Sequence, residues 1–320
     1  MSVIISAGSN TVHQYENDGF VYGCCFESYG YLFQYLGHKV IYLGRDILSC
    51  GAVSSDIVFI EWHPIEAPQA IEAVRSSAKY VFIVQHGSEP EIQEMLYKCP
   101  LDLCDAIILY DDTYQKINKT IDTPVIAIPH PVLFNRIGSG EQNYTDDLVL
   151  LSHRLTPDDK TRALMLTFLA ATRLEKKIFV ISGDEYKDET TEAIKNLGLP
   201  DSVDYEVSGY LSDEDFNKVV ASACCILSYV PYPSFGRDVP IAINHKKLLI
   251  GSPYVVQRYL FPDLVCKSYP EFVDKIDKFK KGKFVTESIL EKADNYKHLF
   301  SIEHLSDVLR KKLTEVGIDV

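Results

Sequence analysis

Residues 208–251 read SGYLSDEDFNKVVASACCILSYVPYPSFGRDVPIAINHKKLLIG, and this stretch decides the fold. Its order is turn, helix, strand, glycine loop, helix, strand. Ser212 is the expected N-cap of the first helix, with Asp215 three residues on completing a capping box. Phe216, Val219, Val220, Ala223 and Cys224 recur at helical spacing and form one buried face. Ile226 to Val230 is a short apolar strand. The segment PYPSFGR then breaks the pattern with two prolines and a glycine. Asp238 is the expected N-cap of the second helix, and Lys246 and Lys247 stand at its far end, where cations suit the dipole. A strand that leads through a glycine loop into a helix is a place to hold an anion. Unpaired N–H groups point outward there, and glycine permits close approach.

The same alternation runs through the rest of the chain. Expected strands cover 2–7, 39–43, 55–61, 79–85, 106–110 and 125–128, with helices near 22–36, 67–77 and 89–98 between them. Gly37 is the natural residue to end the first helix. Residues 136–147 (RIGSGEQNYTDD) are polar and read as a linker. Beyond it lie strand 148–152, helix 158–174, strand 178–182 and helix 188–197, then residues 208–251. Residues 254–277 are helix-rich, and two helices close the chain over 284–318. Short strands apolar on both faces, alternating with helices, define α/β domains with parallel sheets. Such sheets bind ligands beyond the carboxyl ends of their strands. Gly8, Ser9, Glu61 and His86 therefore fall on the functional edge of the first half.

The 320 residues and 46% apolar content suit two domains. A formal net charge of −13 disfavours nucleic acid unless one face is locally basic. Residues 1–140 hold about twice as many acids as bases. No apolar run is long enough to span a bilayer, and the start MSVIISAGSN has no basic leader, so a cytoplasmic protein is expected (host cytoplasm if viral). The eight cysteines include two adjacent pairs and no C-x-x-C, which reads as free, mostly core thiols without a zinc site.

Several short motifs resemble one family. Leu36-Gly37-His38-Lys39-Val40 is similar to the L-x-G-H-x-V that comes after the first helix of GT-B glycosyltransferases. Ile128-Pro129-His130-Pro131-Val132 is similar to their I-P-N-G-V. Ser152-His153-Arg154-Leu155 with Lys160 is similar to G-R-L…K, Gly209 to Glu214 to G-x-x-x-D-E-E, and Ser234-Phe235-Gly236 to G-F-G. The closing FSIEHLSDVLRKKLTEV is similar to the family's last helix. The nearest group is the retaining one that uses nucleotide-diphosphate sugars.

The resemblance implies two Rossmann-like α/β domains facing across a cleft, with the C-terminal helix crossing back to the first. Residues 1–140 would bind the acceptor, 147–290 the nucleotide sugar, and 291–320 would pack back on the first domain. Arg154 and Lys160 would hold the diphosphate, with Ser234, Phe235, Gly236 and Arg237 completing the cradle and Gly8 and Ser9 closing over it. His86 would sit beside the donor sugar. Asp184 and Tyr210 lie where this fold approaches the nucleotide. No metal and no cofactor are implied. The donor would be a nucleotide-diphosphate sugar, a UDP-sugar first. The acceptor would be a glycan, a small molecule or a hydroxymethylated DNA base.

Two departures stand out. The family's sugar-binding glutamates align with Pro233 and Ile241, neither of which accepts a hydrogen bond through its side chain. Asp238, Asn244 or backbone groups are the available replacements, and Asp238 is the first choice. Glu61, with Trp62 and His63 after it, is a candidate general base for an inverting reaction, with Asp18, Glu89 and Asp111 as rival carboxylates. Trp62 is a candidate stacking platform. A sugar-nucleotide epimerase or hydrolase, or a non-catalytic binding protein on the same fold, stays open as an alternative.

Overall fold

The computed structural model describes residues 2–6, 25–42, 55–85, 89–110, 121–134, 148–152, 160–229, 238–252 and 261–320. In chain order the elements are β1 (Ser2–Ser6), α1 (Cys25–Tyr35), β2 (Lys39–Tyr42), β3 (Ser55–Glu61), α2 (Glu66–Val74), β4 (Ala78–Gln85), α3 (Glu89–Lys98), β5 (Ala106–Leu109) and β6 (Val125–Ala127). Then come β7 (Leu148–Ser152), α4 (Lys160–Ala171), β8 (Lys177–Ile181), α5 (Lys187–Lys195), β9 (Tyr205–Ser208), α6 (Asp213–Ala221), β10 (Ala223–Ser228), α7 (Asp238–Asn244) and β11 (Leu248–Gly251). The chain ends with α8 (Tyr269–Lys280), α9 (Thr286–Tyr296) and α10 (Ile302–Glu315). No helix among the described residues is long and apolar enough to cross a membrane.

The chain divides into two compact units. The first is Met1–Arg136 together with His298–Val320, and the second is Ile137–Lys297. Unit 1 holds one parallel sheet in the order β2-β1-β3-β4-β5-β6. Alternate side chains feed its two faces, as a pleated strand requires. Ile57 and Phe59 join Tyr29, Leu32 and Phe33 of α1 and Leu305, Leu309 and Leu313 of α10 on one side. Val58 and Ile60 join Ile71 and Val74 of α2 and Ile92 and Met95 of α3 on the other. Gly37 ends α1 at φ +86°, a conformation open chiefly to glycine. Its N–H donates to Gln34 O and that of His38 to Phe33 O, satisfying carbonyls the helix leaves over.

Unit 2 holds a second parallel sheet, β11-β10-β7-β8-β9. Every residue of β10 is buried. The expected helical face through Ala223 and Cys224 is corrected here, because α6 stops at Ala221 and both residues belong to β10. The Ser222 hydroxyl caps the helix by donating to Lys218 O, and the residues after it pair with β7 and β11. Ser212 does cap α6, since its Oγ accepts from Asp215 N–H at 3.2 Å. The reciprocal half of the box differs. Asp215 Oδ2 accepts from the Ser212 hydroxyl at 2.8 Å, and this bond, with Lys218, holds the Asp215 carboxyl below the usual range.

Cys99, Cys104, Cys224, Cys225 and Cys266 are buried and form no disulfide among the described residues. Burial pushes Cys266 up to about 12, and a hydrogen bond with Cys99 raises Cys104. Neither thiol is a nucleophile at neutral pH.

Candidate functional site

In unit 2 the chain runs from β7 to β8 and β9 on one side, then returns to β10 and β11 on the other. The order reverses between β7 and β10, and open parallel sheets take ligands at that reversal, outside the carboxyl ends. Those ends are Ser152 and Ser228. The next residues along the chain include the expected phosphate ligands. Arg154, Ser234, Phe235, Gly236 and Arg237 lie outside the described residues, as does the side chain of Lys160. Lys160 itself is the first residue of α4.

The exit from β10 is held firmly. Thr167, fully buried on α4, accepts from Tyr229 N–H (3.3 Å) and donates to Tyr229 O (3.4 Å). The Tyr229 ring stacks on Phe272 of α8 at 5.2 Å and meets Tyr269 edge-on at 5.7 Å. Tyr269 donates its hydroxyl to Leu166 O. α4, which opens at Lys160, and the strand that leads into the glycine loop are thus one packed assembly. Sequence reasoning misses Thr167 and Tyr229. A threonine inside a helix carries no local signal of a partner 62 residues away.

Around α7 one expectation changes. Asp238 is the first described residue of this helix and is 6% exposed. All seven residues of α7 are buried, including Ile241 at 5%. Ile241 is so enclosed that a glutamate in its place would need a buried polar partner. Lys247, expected to serve the far end of α7, instead reaches the end of another helix. It is fully buried, and its Nζ donates to Ala221 O, the C-terminal carbonyl of α6, at 2.7 Å.

Asp184 and Tyr210 come together. Asp184 lies after β8 and Tyr210 after β9, neighbouring strands on the same edge. Asp184 Oδ1 accepts from Tyr210 N–H at 2.7 Å. One of its oxygens is therefore committed to the protein rather than to a ligand. The turn carrying Asp184 is itself fixed, because Thr190 donates to Tyr186 O and meets the Ser182 hydroxyl at 3.1 Å. The Tyr210 ring stands 73% exposed beside this clamp. Between them Gly209 is buried, and a Cβ there would collide with Asp184 Oδ1. Gly209→Ala should break the clamp and cost about 1–2 kcal/mol, the size of a lost charge-assisted hydrogen bond. Urea unfolding measures this. Asp184→Ala and the double mutant should then be no worse than Gly209→Ala, because the same bond is already gone.

In unit 1 the order reverses between β1 and β3, whose last residues are Ser6 and Glu61. Glu61 is half-buried at this reversal. Gly8, Ser9 and His86, and the rival Asp18 and Asp111, lie outside the described residues, as does the side chain of Glu89. Trp62 is no stacking platform. It is 7% exposed and packs in the core beside α2 and α3, with its backbone N–H donating to Val84 O. His63 has a structural task, since its Nδ1 accepts from Ile65 and Glu66 N–H at the start of α2. Among the described residues no group of three or more His, Cys, Asp or Glu is arranged to hold a metal ion.

Two parallel α/β units of these sheet orders, with the last helix counted in the first unit, make the GT-B architecture, and the chain has the GT-B fold. Solved structures carry the same fold. HepE of Anabaena, in complex with UDP and glucose, matches with a TM-score of 0.70 at 11% identity, over 98% of this chain and 100% of that one. TarM, known from S. aureus, matches at 0.64 and 15% identity over 83% of this chain. The pneumococcal O-GlcNAc transferase GtfA, in complex with UDP and GlcNAc, matches at 0.61 and 17% over 86%. The chain spans only 56% of TarM and 60% of GtfA. No family model and no curated protein matches the sequence.

Proposed function

We propose that the protein is a glycosyltransferase that moves a sugar from a nucleotide-diphosphate donor, a UDP-sugar first, to an acceptor hydroxyl, with retention and without a metal ion. The observation that carries this reading is the reversal of strand order between β7 and β10. In the sequence Arg154 and Lys160 follow β7 and Arg237 follows β10, the two strands that flank this reversal. The likeness to HepE over the whole of both chains supports it, as that protein was solved with UDP and glucose.

In this reading Arg154 and Lys160 offset the charge that builds on the departing diphosphate. Backbone N–H groups of 234–237 complete the cradle. Tyr210 flanks the base and Asp184 positions it, while Asp238 or backbone groups of α7 approach the sugar. Residues 1–140 form the acceptor domain, with Gly8 and Ser9 near the donor and His86 hydrogen-bonded to its sugar. Glu61 would serve as general base if the anomer of the product proved inverted.

The test is a thermal-shift panel of UDP, GDP and ADP and their sugars, on the wild type and on Arg154→Ala. One nucleotide should stabilise the wild type in a concentration-dependent way. Arg154→Ala should bind it about ten- to a hundredfold more weakly. Transfer should persist in a chelator. Stabilisation that Arg154→Ala leaves unchanged removes the phosphate assignment. If no nucleotide diphosphate stabilises the chain, the enzyme reading fails and a binding protein on this fold replaces it.

A further inference from the structure

The densest run of lysines in the chain includes none of the candidate site residues. Residues 275–283 (KIDKFKKGK) carry five lysines against one acid, in a chain of net charge −13. They form the last turns of α8 and the turn into α9. Gly282 reverses the chain at φ +63°, and Lys283 N–H donates to Lys278 O. Helix-end electrostatics accounts for some of these lysines. Lys278 and Lys280 lie in the last turn of α8 and are paired with Asp274 (2.7 Å) and Glu175 (2.8 Å). Lys281 is the C-cap residue of α8, and after Arg173 its charge helps to hold the Asp277 carboxyl low, whereas Lys283 lies past Gly282 and has no such role. Both are exposed and in no ion pair among the described residues.

Two further observations point to a partner. The turn borders a cavity of about 380 Å³, lined by Leu174, Phe279 and Phe284 with Lys176, Lys280 and Glu287. Immediately after it, Val285 stands 70% exposed. Exposed cations, a concavity with apolar walls and a protruding aliphatic side chain form one continuous surface over residues 280–285.

We propose that this surface docks unit 2 on an anionic phospholipid layer. Lys281 and Lys283 would meet headgroup phosphates, the cavity would admit a headgroup, and Val285 would enter the acyl boundary. Charge complementarity selects the partner: the rest of so acidic a chain is repelled by a negative surface, so attraction must be local and oriented. The aliphatic tip selects lipid over a soluble anion, which has no use for it. This inference does not depend on the proposed transferase activity.

The experiment is flotation of the full chain with vesicles of phosphatidylcholine alone or with about 30 mol% phosphatidylglycerol. Binding is expected only with the anionic lipid, and should fall steeply as salt rises from about 0.1 to 0.5 M. The double variant Lys281→Glu/Lys283→Glu should lose about tenfold or more of this binding. Val285→Asp should weaken it severalfold, about the effect of one apolar anchor. Both variants should melt like the wild type, and Lys281→Gln/Lys283→Gln is the milder substitute if the reversal does not fold. The proposal is overturned if anionic vesicles do not bind the protein. It is equally overturned if the charge variants bind as well as wild type, or if Val285→Asp is silent while inorganic polyphosphate displaces the protein, which marks a soluble-anion site.

Discussion

Leu309→Ala should destabilise unit 1 by about 3 kcal/mol, inside the roughly 2–5 kcal/mol range for truncating a buried leucine. Leu309 is fully buried on α10, the last helix of the chain, between Leu305 and Leu313. Its cluster contains Leu32 and Phe33 of α1 and Ile57 and Phe59 of β3, residues some 250 positions earlier in the sequence. α10 is therefore a wall of this core and not an appendage. Polar contacts fix it in place as well. The buried Ser306 hydroxyl lies 3.2 Å from Leu32 O and 2.7 Å from Ile302 O, and Lys312 donates to Ala127 O at the end of β6. A cavity opened at 309 cannot close by moving one helix without breaking these bonds. Two units need not unfold together, so denaturant unfolding should be tracked by probes in each. The transition of unit 1 should shift and that of unit 2 should stay, while the exposed Lys311→Ala should change neither by more than about 0.5 kcal/mol. An unshifted unit 1 transition in Leu309→Ala would mean that α10 is peripheral.

The strands are legible because their sequence admits one reading. SDIVFIE and KYVFIVQ are apolar on alternate faces in both directions, and β3 and β4 cover 55–61 and 78–85. Helix existence is equally plain, and Gly37 marks the end of α1 by a purely local rule. Where local rules fail, distant partners decide. The run Val219 to Cys224 fits a helical face as well as the head of a buried strand. Pairing of Cys225 with Leu248 and Val149 settles it, and those partners are not adjacent in sequence. Asp238 has the local signature of a helix start, and its burial comes from the elements packed on α7. Trp62 stands at a strand end on the functional edge, yet its side chain turns to the α2–α3 face. Asp184 and Tyr210 are separate ligand-binding candidates by sequence position. That they bond to each other, over 26 positions, is visible only in the fold.

His245 should make the protein acid-sensitive well above the usual carboxylate range. It closes α7 and is 1% exposed. Its Nε2 lies 3.0 Å from Asn217 Oδ1 on α6, a geometry that suits the neutral tautomer with the proton on Nε2. Nδ1 is then a buried lone pair, and it has no hydrogen-bond partner among the described residues. Protonating it would create an unpaired buried cation two residues from the buried Lys247 ammonium. Burial first, and Lys247 second, push the His245 pKa down from 6.5 to about 4. Between these two values the unfolded chain binds a proton that the folded chain refuses, so by linkage stability rises with pH there. The contribution is intact above about pH 6.5, falls as the pH drops, and is fully lost below about pH 4. At about 1.4 kcal/mol per unit, the loss amounts to roughly 3 kcal/mol. His245→Gln keeps an amide near Asn217 and removes the titration. Its unfolding free energy in urea should therefore depend less on pH than that of the wild type between pH 6.5 and about 4.5, with the two curves diverging toward acid. Carboxylates such as Asp277, held low by Arg173, respond mainly below this window and act alike in both proteins. Parallel curves for the two proteins across the window would show that His245 is protonated in the fold, and that a polar partner reaches Nδ1.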